Sequence, residues 1–229
     1  MDSSLIEDIV EWDIKNWSKA LKYWSKNSNV AAGNLHCLEL GGRRGGPSLW
    51  LASQGNIVIC SDLESPEEHA KPLHQKHKCD ENVTYKSINA TNIPYENYFD
   101  IVIFKSIIGG ISGFEKDELK KKTIDEIYKS LKPGGKLLFA ENLESSALHK
   151  TLRKKFVRWG DRWNYLRYAE IKYVFSSFEK NNFETAGFFG AFGRSEKQRK
   201  FLSFFDDFFK IFIPKSKRYI VYGIAEKAK

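Results

Sequence analysis

The sequence predicts an α/β fold in which helices cover both faces of a mostly parallel sheet. The first observation is residues 35–62, LHCLELGGRRGGPSLWLASQGNIVICSD, where two short apolar runs flank a glycine-rich turn and a helical pattern. Two parallel strands joined through a helix are the repeating unit of such sheets. The second observation is that further apolar runs of strand length alternate with helical patterns along the chain.

The glycine-rich turn is the first candidate for a ligand site. Gly41, Gly42 and Gly45 follow the first predicted strand, and Asp62 ends the second. Ligands of open parallel sheets bind at the carboxyl ends of the strands. Glycine allows the backbone to approach a ligand where a Cβ would collide with it. Because a carboxylate at this position can accept hydrogen bonds from ribose hydroxyls, the unit predicts a site for a nucleoside cofactor.

The residues of the glycine-rich turn indicate which class of cofactor it binds. A dinucleotide motif, G-x-G-x-x-G, would need glycine where this chain has Arg43, and a phosphate-binding loop would need G-K-[ST] where it has G-P-S. The pattern Glu39-x-Gly41-x-x-x-Gly45 instead resembles the first motif, [DE]-x-G-x-G-x-G, of class I S-adenosylmethionine (SAM)-dependent methyltransferases. Arg43 replaces the middle glycine of that motif.

Two further stretches resemble the same family. FDIVIF at residues 99–104 is similar to its fourth strand, and SLKPGGKLLFAE at residues 130–141 is similar to its turn into the fifth strand. The three motifs cover roughly residues 35–141. The resemblance implies a seven-stranded sheet of order 3-2-1-4-5-7-6, an enzyme that uses S-adenosyl-L-methionine, and S-adenosyl-L-homocysteine as the product.

The resemblance also implies a set of cofactor-binding positions. They lie in the glycine turn, after the second and third strands, where Asn89 replaces the family's adenine-binding acid, and at the end of the fourth strand. Lys105, at the last of these, either faces the cleft or ends a strand in solvent. The predicted cofactor residues are Glu39, Gly41, Gly42, Arg43, Gly45, Asp62, Leu63, Asn89, Ala90 and Lys105.

A hydroxyl acceptor would also need a proton acceptor beside it. His149 is the first candidate for this catalytic role because the unperturbed pKa of histidine suits neutral pH, and Glu144 is the second. Glu141 and Asp161, in the same part of the chain, are further candidates. An exposed helix position is the alternative interpretation of His149.

The chain divides into a predicted N-terminal helical cover, residues 1–30, and a cofactor-binding domain, residues 31–229. A single helix over 3–26, capped by Ser3 or Ser4, either packs on the domain or contributes Trp12, Trp17 or Tyr23 to the acceptor pocket. Residues 146–180 are predicted to be helical, with acceptor-side insertions at about 146–168 and 195–212. We expect the sixth strand at 183–192, and the phenylalanine stripe at 201–212 in the core, with membrane contact as its alternative.

Charge is unevenly distributed. The net charge is +8, but residues 146–229 carry 19 Lys/Arg against 8 Asp/Glu, and 20 of the 33 aromatic residues. A basic, aromatic portion indicates an anionic partner: a phosphorylated substrate, a nucleic acid or a membrane surface. His69, His74 and His77 have no neighbouring ligands that would complete a metal site, and we interpret them as a solvated helix face.

Cysteine number and the N-terminus bear on location. Three cysteines, two of them in predicted strands, fit buried reduced thiols better than a disulfide framework. The acidic N-terminus lacks the basic-then-apolar order of a signal peptide, and no apolar run approaches the ~20 residues of a membrane span. These features predict a cytoplasmic protein.

Three functional hypotheses remain open on the sequence. The first is methylation of a small acceptor, a hydroxyl of a phosphorylated or nucleotide-linked sugar. The second is RNA methylation, which the basic third favours, although N-P-P-Y or D-P-P-Y does not follow the fourth strand. The third is a non-catalytic module that retains the cofactor fold.

Overall fold

A computed structural model describes residues 2–113, 116–156 and 162–229. In these residues one sheet holds seven strands in the order β3-β2-β1-β4-β5-β7-β6, so the predicted order is confirmed. The strands are β1 His36–Leu40, β2 Ile57–Asp62, β3 Val83–Ser87, β4 Phe99–Lys105, β5 Leu131–Asn142, β6 Lys180–Ala186 and β7 Ile220–Glu226.

Helices lie on both faces of the sheet, as predicted. They are α1 Ser3–Val10, α2 Ile14–Asn27, α3 Gly46–Ala52, α4 Glu67–Lys76, α5 Ile108–Ile111, α6 Glu118–Ser130, α7 Ala147–Phe156, α8 Ile171–Val174 and α9 Glu196–Phe208. None of the helices in the described residues is long and apolar enough to cross a bilayer.

The strand directions create one edge at which the site can form. β1 pairs in parallel with β2 and β4, β2 with β3, and β4 with β5, whereas β7 runs antiparallel to both β5 and β6. The carboxyl ends of the first five strands therefore meet at the same edge. Loops that follow these strands converge there, which is where open parallel sheets bind ligands.

The core has two parts, one on each face. Along β4, Ile101 and Ile103 face the part that packs under α1–α4, while Val102 and Phe104 face the part under α5, α6 and α8. Because β4 is covered on both faces, its sequence is a continuous apolar run rather than an alternation. The three cysteines are buried and free.

The N-terminal segment differs from the single helix that we predicted. α1 ends at Val10 and α2 begins at Ile14, because Glu11 and Asp13 adopt left-handed φ values of 71° and 45°. Asp2, rather than Ser3 or Ser4, caps α1.

Contacts distant in sequence hold the break between α1 and α2. The Glu196 carboxylate accepts hydrogen bonds from the backbone amides of Asp13 (2.9 Å) and Ile14 (3.3 Å). The Tyr219 hydroxyl donates to the Asp13 carboxylate. Periodicity cannot reveal such a break, since both partners lie about two hundred residues away.

The C-terminal third also differs from the structure that we predicted for it. Between residues 146 and 180 the described helices cover only α7, α8 and a 3-10 turn at Tyr168–Glu170. Leu166 instead pairs with Leu143 as an isolated parallel bridge, so residues 162–167 are not helical. β6 lies at 180–186, and the end of our predicted strand is a 3-10 turn at Phe189–Phe192. Asp161 lies outside the described residues.

The expectation that the phenylalanine stripe of α9 is core is wrong. Phe201, Phe204, Phe208 and Phe212 are exposed. Phe205, the fifth residue of the stripe, is half-buried, with its ring centroid 6.4 Å from that of Phe189. The buried Asp206 accepts hydrogen bonds from the backbone amides of residues 188, 189 and 190, at 2.7, 2.6 and 3.1 Å. Those amides need a buried acceptor, and supplying one directs the phenyl rings outward.

Burial raises the pKa of the Asp13 carboxyl to about 7. Between pH ~4, near its unfolded pKa, and pH 7, the folded protein holds a proton that the unfolded chain releases, so this group lowers the free energy of unfolding as pH rises. We expect Asp13→Asn, which keeps an acceptor for Tyr219, to gain stability relative to wild type between pH 5 and pH 8, on the order of 1–3 kcal/mol.

Urea unfolding of both proteins at the two pH values measures this difference. The carboxyls of Glu39 and Glu141 also have pKa values raised to about 7 by burial, so the slope of the wild type alone does not isolate Asp13. An equal offset between wild type and Asp13→Asn at both pH values would contradict the prediction.

Candidate active site

A cavity of about 600 Å³ lies at the carboxyl ends of β1, β4 and β5. Its wall combines the glycine turn with residues from the helix break, from the ends of β4 and β5, and from the C-terminal third. The lining residues are Glu11, Trp12, Glu39, Gly41, Gly42, Arg43, Arg44, Pro47, Lys105, Ser106, Asn142, Arg153, Trp163, Tyr165, Ala191 and Tyr219.

The glycine turn follows β1 in a left-handed backbone. Gly41 has φ 67°, Arg43 φ 39° and Gly45 φ 72°. A Cβ at Gly41 would overlap the side chain of Ile107, and one at Gly42 would lie 2.7 Å from Cys60 Sγ. The left-handed φ of Arg43 gives a physical reason for the glycine that the family motif has at this position.

His74, on α4, bonds to the glycine turn. Our interpretation of this histidine as solvated is wrong. The ring is fully buried, with Nε2 2.8 Å from the Gly45 carbonyl oxygen and Nδ1 2.8 Å from the Tyr85 hydroxyl. Burial lowers the pKa of His74, which favours the neutral ring. Because the carbonyl can only accept, Nε2 donates to Gly45 and Nδ1 accepts from Tyr85. His69 is exposed, and His77 pairs with Asp8.

Glu39 supports the turn from the strand side. Its carboxylate is buried and accepts a hydrogen bond from the backbone amide of Ser48 (2.8 Å), in the first turn of α3. Burial raises the pKa of Glu39 to about 7. The side chain therefore joins β1 to α3 while it also lines the cavity.

Asp62 reaches the turn from β2. Its carboxylate accepts hydrogen bonds from the amides of Arg43 (3.2 Å) and Leu63 (2.8 Å). The carbonyl of Asp62 accepts from the Ile88 amide (2.8 Å), which brings the ends of β2 and β3 together. Asp62 is therefore adjacent to the glycine turn, as its predicted contact with a ribose requires.

The predicted adenine-side residues lie beyond the cavity wall. Leu63 and Asn89 are exposed, and Ala90 is buried. The side-chain oxygen of Asn89 accepts from the amide and the hydroxyl of Thr91, both at 2.9 Å. An adenine amino group would share that oxygen, so the adenine-binding roles of Asn89 and Ala90 stay predictions.

Lys105 faces the cleft and does not end its strand in solvent, since it lines the cavity. Its ammonium group lies 5.5 Å from the centroid of the Trp17 ring, and burial lowers the pKa of the lysine. Glu11 and Glu39 partly oppose that shift. In the described part of the chain, no carboxylate lies within ion-pair distance of this nitrogen.

The structure does not bring the predicted catalytic residues to the cavity. Both ring nitrogens of His149 have partners, the Ser146 hydroxyl (2.7 Å) and the Phe188 carbonyl (2.9 Å). The ring lines a neighbouring depression instead. Glu144 pairs with Lys150 at the surface. The assignment of His149 and Glu144 as proton acceptors stays a prediction that this geometry does not favour.

Glu141 has a structural role beside Asn142, which lines the cavity. Its buried carboxylate accepts hydrogen bonds from the backbone amides of Ile107 (2.9 Å), Ile108 (2.8 Å) and Asn142 (2.7 Å). These bonds hold the segment that follows β4 against the end of β5. Burial raises the pKa of Glu141 to about 7.

Several residues that line the cavity were not predicted from the sequence. Glu11 and Trp12 reach the cavity because the N-terminal helix breaks there, and only Trp12 was among our alternatives. Arg153 donates to the Leu143 carbonyl (2.7 Å), and its guanidinium lies 4.2 Å from the centroid of the Tyr165 ring. The glycine pair 109–110 is a sequence feature that is connected with one of these residues. A Cβ at Gly109 would overlap the Trp163 indole, so glycine is needed where Trp163 packs.

Residues 38–139 match the family model described as "Methyltransferase domain". This stretch contains the glycine turn, both neighbouring strands and the segment after β4, all of which shape the cavity. This match describes residues 38–139 as a methyltransferase domain, and the sheet has the strand order of class I SAM-dependent methyltransferases. S-adenosyl-L-methionine is the cofactor that the match indicates, and the left-handed turn with its two crowded glycines and the adjacent Asp62 fits that group. No curated protein sequence matches the chain.

Solved structures share the fold of this methyltransferase domain. Phosphoethanolamine N-methyltransferase 2 of Haemonchus contortus, in complex with S-adenosyl-L-methionine, is 20% identical with a TM-score of 0.64, over 93% of this chain and 53% of that one. The chain thus spans about half the length of that protein. A structure named the [4+2]-cyclase SpnF is 18% identical with a TM-score of 0.58, over 87% of this chain and 78% of that one.

We expect His74→Ala to weaken binding of S-adenosyl-L-homocysteine by about tenfold, because Gly45 loses the donor that holds its carbonyl. The same change should lower the free energy of unfolding by about 1–3 kcal/mol. Calorimetric titration and urea unfolding measure the two effects. His69→Ala, on the exposed face of α4, is the matched control. A loss of stability with unchanged affinity would show that His74 supports the fold alone.

We expect Asp62→Asn to bind S-adenosyl-L-homocysteine at least about tenfold more weakly than wild type. The amide can still accept from Arg43, but it lacks the charge that strengthens hydrogen bonds from ribose hydroxyls. Glu64→Gln, an exposed acid two residues away, is the control in the same calorimetric titration. Equal affinity of Asp62→Asn and wild type would remove Asp62 from the cofactor site.

Proposed function

We propose that this methyltransferase domain methylates a small acceptor that carries a negatively charged group, and that the acceptor is a hydroxyl of a phosphorylated or nucleotide-linked sugar. The observation that supports the proposal is that Lys105 and Arg153 both line the cavity, together with Arg43 and Arg44 of the glycine turn. SAM, when bound, supplies a methyl group on a sulfonium sulfur, so the protein has to position the acceptor.

Lys105 is suited to an anionic acceptor by its surroundings. A cation that burial deprives of water is stabilised when an opposite charge approaches it. Its neighbour Trp17 offers a ring face, which stabilises an ammonium less than a full negative charge does. An acceptor phosphate or carboxylate would supply that charge.

Arg153 supplies a second donor in the cavity wall. In the described residues its hydrogen bonds run through Nη1, to the carbonyls of Leu143 and Glu144. These bonds and the stacked Tyr165 ring hold the guanidinium plane. Planar guanidinium groups bind phosphate and carboxylate through paired donors.

Aromatic side chains favour a sugar as the rest of the acceptor. Trp12, Trp163 and Tyr165 line the cavity, and such rings present flat apolar faces with a polar edge. The apolar face of a sugar ring can pack against them. A solved structure of the Haemonchus enzyme contains phosphomonomethylethanolamine, which supports a phosphorylated acceptor in this fold.

Glu11 is the proton acceptor that we propose for a hydroxyl substrate. It lines the cavity at the break between α1 and α2, and its charge acts on Lys105. A carboxylate at this place can take the proton that the hydroxyl loses on methylation. His149 lacks this access, since both of its ring nitrogens are bonded elsewhere.

Lys105→Met tests the proposal. Release of S-adenosyl-L-homocysteine is measured with a panel of phosphorylated sugars and nucleotide-linked sugars, each matched to its neutral sugar. We expect wild type to methylate a charged member, and Lys105→Met to raise the KM for that acceptor by about tenfold or more, because a hydrogen bond to a charged group is lost. Binding of S-adenosyl-L-homocysteine should change by less than about twofold. Lys172→Met, exposed on α8, is the control.

The outcomes separate the hypotheses. Methylation of neutral sugars alone would contradict the anionic acceptor. Methylation of RNA by wild type, with none of the sugars, would favour the second hypothesis. A folded wild-type protein that binds no S-adenosyl-L-homocysteine would contradict the enzyme and favour the non-catalytic module.

A further inference from the structure

α9 and the turn after it carry an exposed apolar face. The exposed fractions are 66% for Phe201, 62% for Phe204, 67% for Phe208, 86% for Ile211 and 73% for Phe212. Half of the ten exposed large hydrophobic residues among the described positions thus lie within twelve residues. Single exposed hydrophobic residues are normal, whereas a contiguous patch marks a contact surface.

The acids of α9 all have partners within the chain. Glu196 and Asp206 bind backbone amides of the domain. Asp207 pairs with Lys15 (3.0 Å) and Lys19 (2.6 Å) on α2. The negative charge of α9 is therefore paired within the chain, while its apolar stripe is exposed, the opposite of a surface helix whose apolar stripe packs on the core.

Cations accompany the exposed rings. Lys197 and Lys200 are exposed and, at helical spacing, lie on the same side of α9 as Phe201 and Phe204. Lys210 is exposed in the turn that follows. Phenyl and aliphatic side chains bordered by lysines are the composition of helices that lie in the interface of a lipid bilayer.

We propose that the outward face of α9, residues 197–212, docks on a membrane surface that contains anionic lipids. Charge complementarity selects this occupant: lysines attract anionic headgroups while the rings enter the acyl boundary. Two copies of the same face would bring lysines together. RNA would stack on flat rings, and Ile211, the most exposed residue of the patch, has none.

Docking would place the active-site cavity beside the bilayer. Arg199, on the inner side of α9, lies with its guanidinium 5.6 Å from the centroid of the Trp12 ring, which lines the cavity. Glu196 holds the helix break that positions Trp12. The docked helix is thus connected to the cavity wall through two contacts, independently of which acceptor the cavity takes.

Vesicle co-sedimentation tests the docking. The full chain is mixed with phosphatidylcholine vesicles, with or without phosphatidylserine, at low and high salt. We expect wild type to bind the anionic vesicles in a salt-sensitive manner. Phe201→Ser combined with Phe204→Ser should lower the partition coefficient by about tenfold or more, since two buried aromatic contacts are lost. Lys197→Gln with Lys200→Gln should remove most of the preference for anionic lipid.

Two substitutions of exposed residues outside α9 serve as controls. Tyr173→Ser on α8 removes an equally exposed ring, 67%, and Lys122→Gln removes an exposed charge on α6; both should bind vesicles as wild type does. Binding of S-adenosyl-L-homocysteine reports that each variant is folded. Three results would overturn the proposal: a folded wild type that ignores anionic vesicles, binding that survives both phenylalanine changes, or a wild-type dimer that those changes dissociate without any vesicle binding.

Discussion

A buried polar network at the N-terminal helix break organises the functional half of this structure. The Asn16 amide lies within 3.0 Å of the Asp206 carboxylate and the Tyr219 hydroxyl, and Tyr219 in turn donates to Asp13. Buried polar groups are costly when they lack partners, so these groups constrain one another. The network joins α2, α9 and the start of β7, and it directs Glu11 into the cavity and the rings of α9 away from the core.

The glycine turn is constrained separately, by groups that surround it before any cofactor arrives. His74 donates to Gly45, Glu39 accepts from the start of α3, and Asp62 accepts from Arg43. A turn held by three fixed partners loses little conformational freedom on binding a ligand. The left-handed Arg43 is tolerated because its amide has the Asp62 carboxylate as a partner. A residue with a side chain thus occupies a left-handed position where the family motif has glycine.

The predictions that held rest on local patterns. The glycine turn, the strand order implied by the three motifs, and the position of Asp62 beside the turn each depend on residues close together in sequence or on a fold shared by a family. The failures are of another kind. His74 carries no local mark of burial, because the residues that enclose it, Gly45 and Tyr85, belong to other elements. The phenylalanine stripe has a regular helical spacing, and spacing alone does not say which side of a helix faces the core.

The sequence by itself determined the strands and the glycine turn, because backbone angles, strand periodicity and helix ends are governed by neighbouring residues, and its resemblance to a family indicated the strand order and the cofactor class. Only the tertiary structure decided the acceptor side. Glu11, Lys105 and Arg153 meet in one cavity through contacts that span more than a hundred residues of chain. Whether an ammonium group is buried and lacks a carboxylate partner depends on three-dimensional surroundings, which no linear pattern of residues specifies.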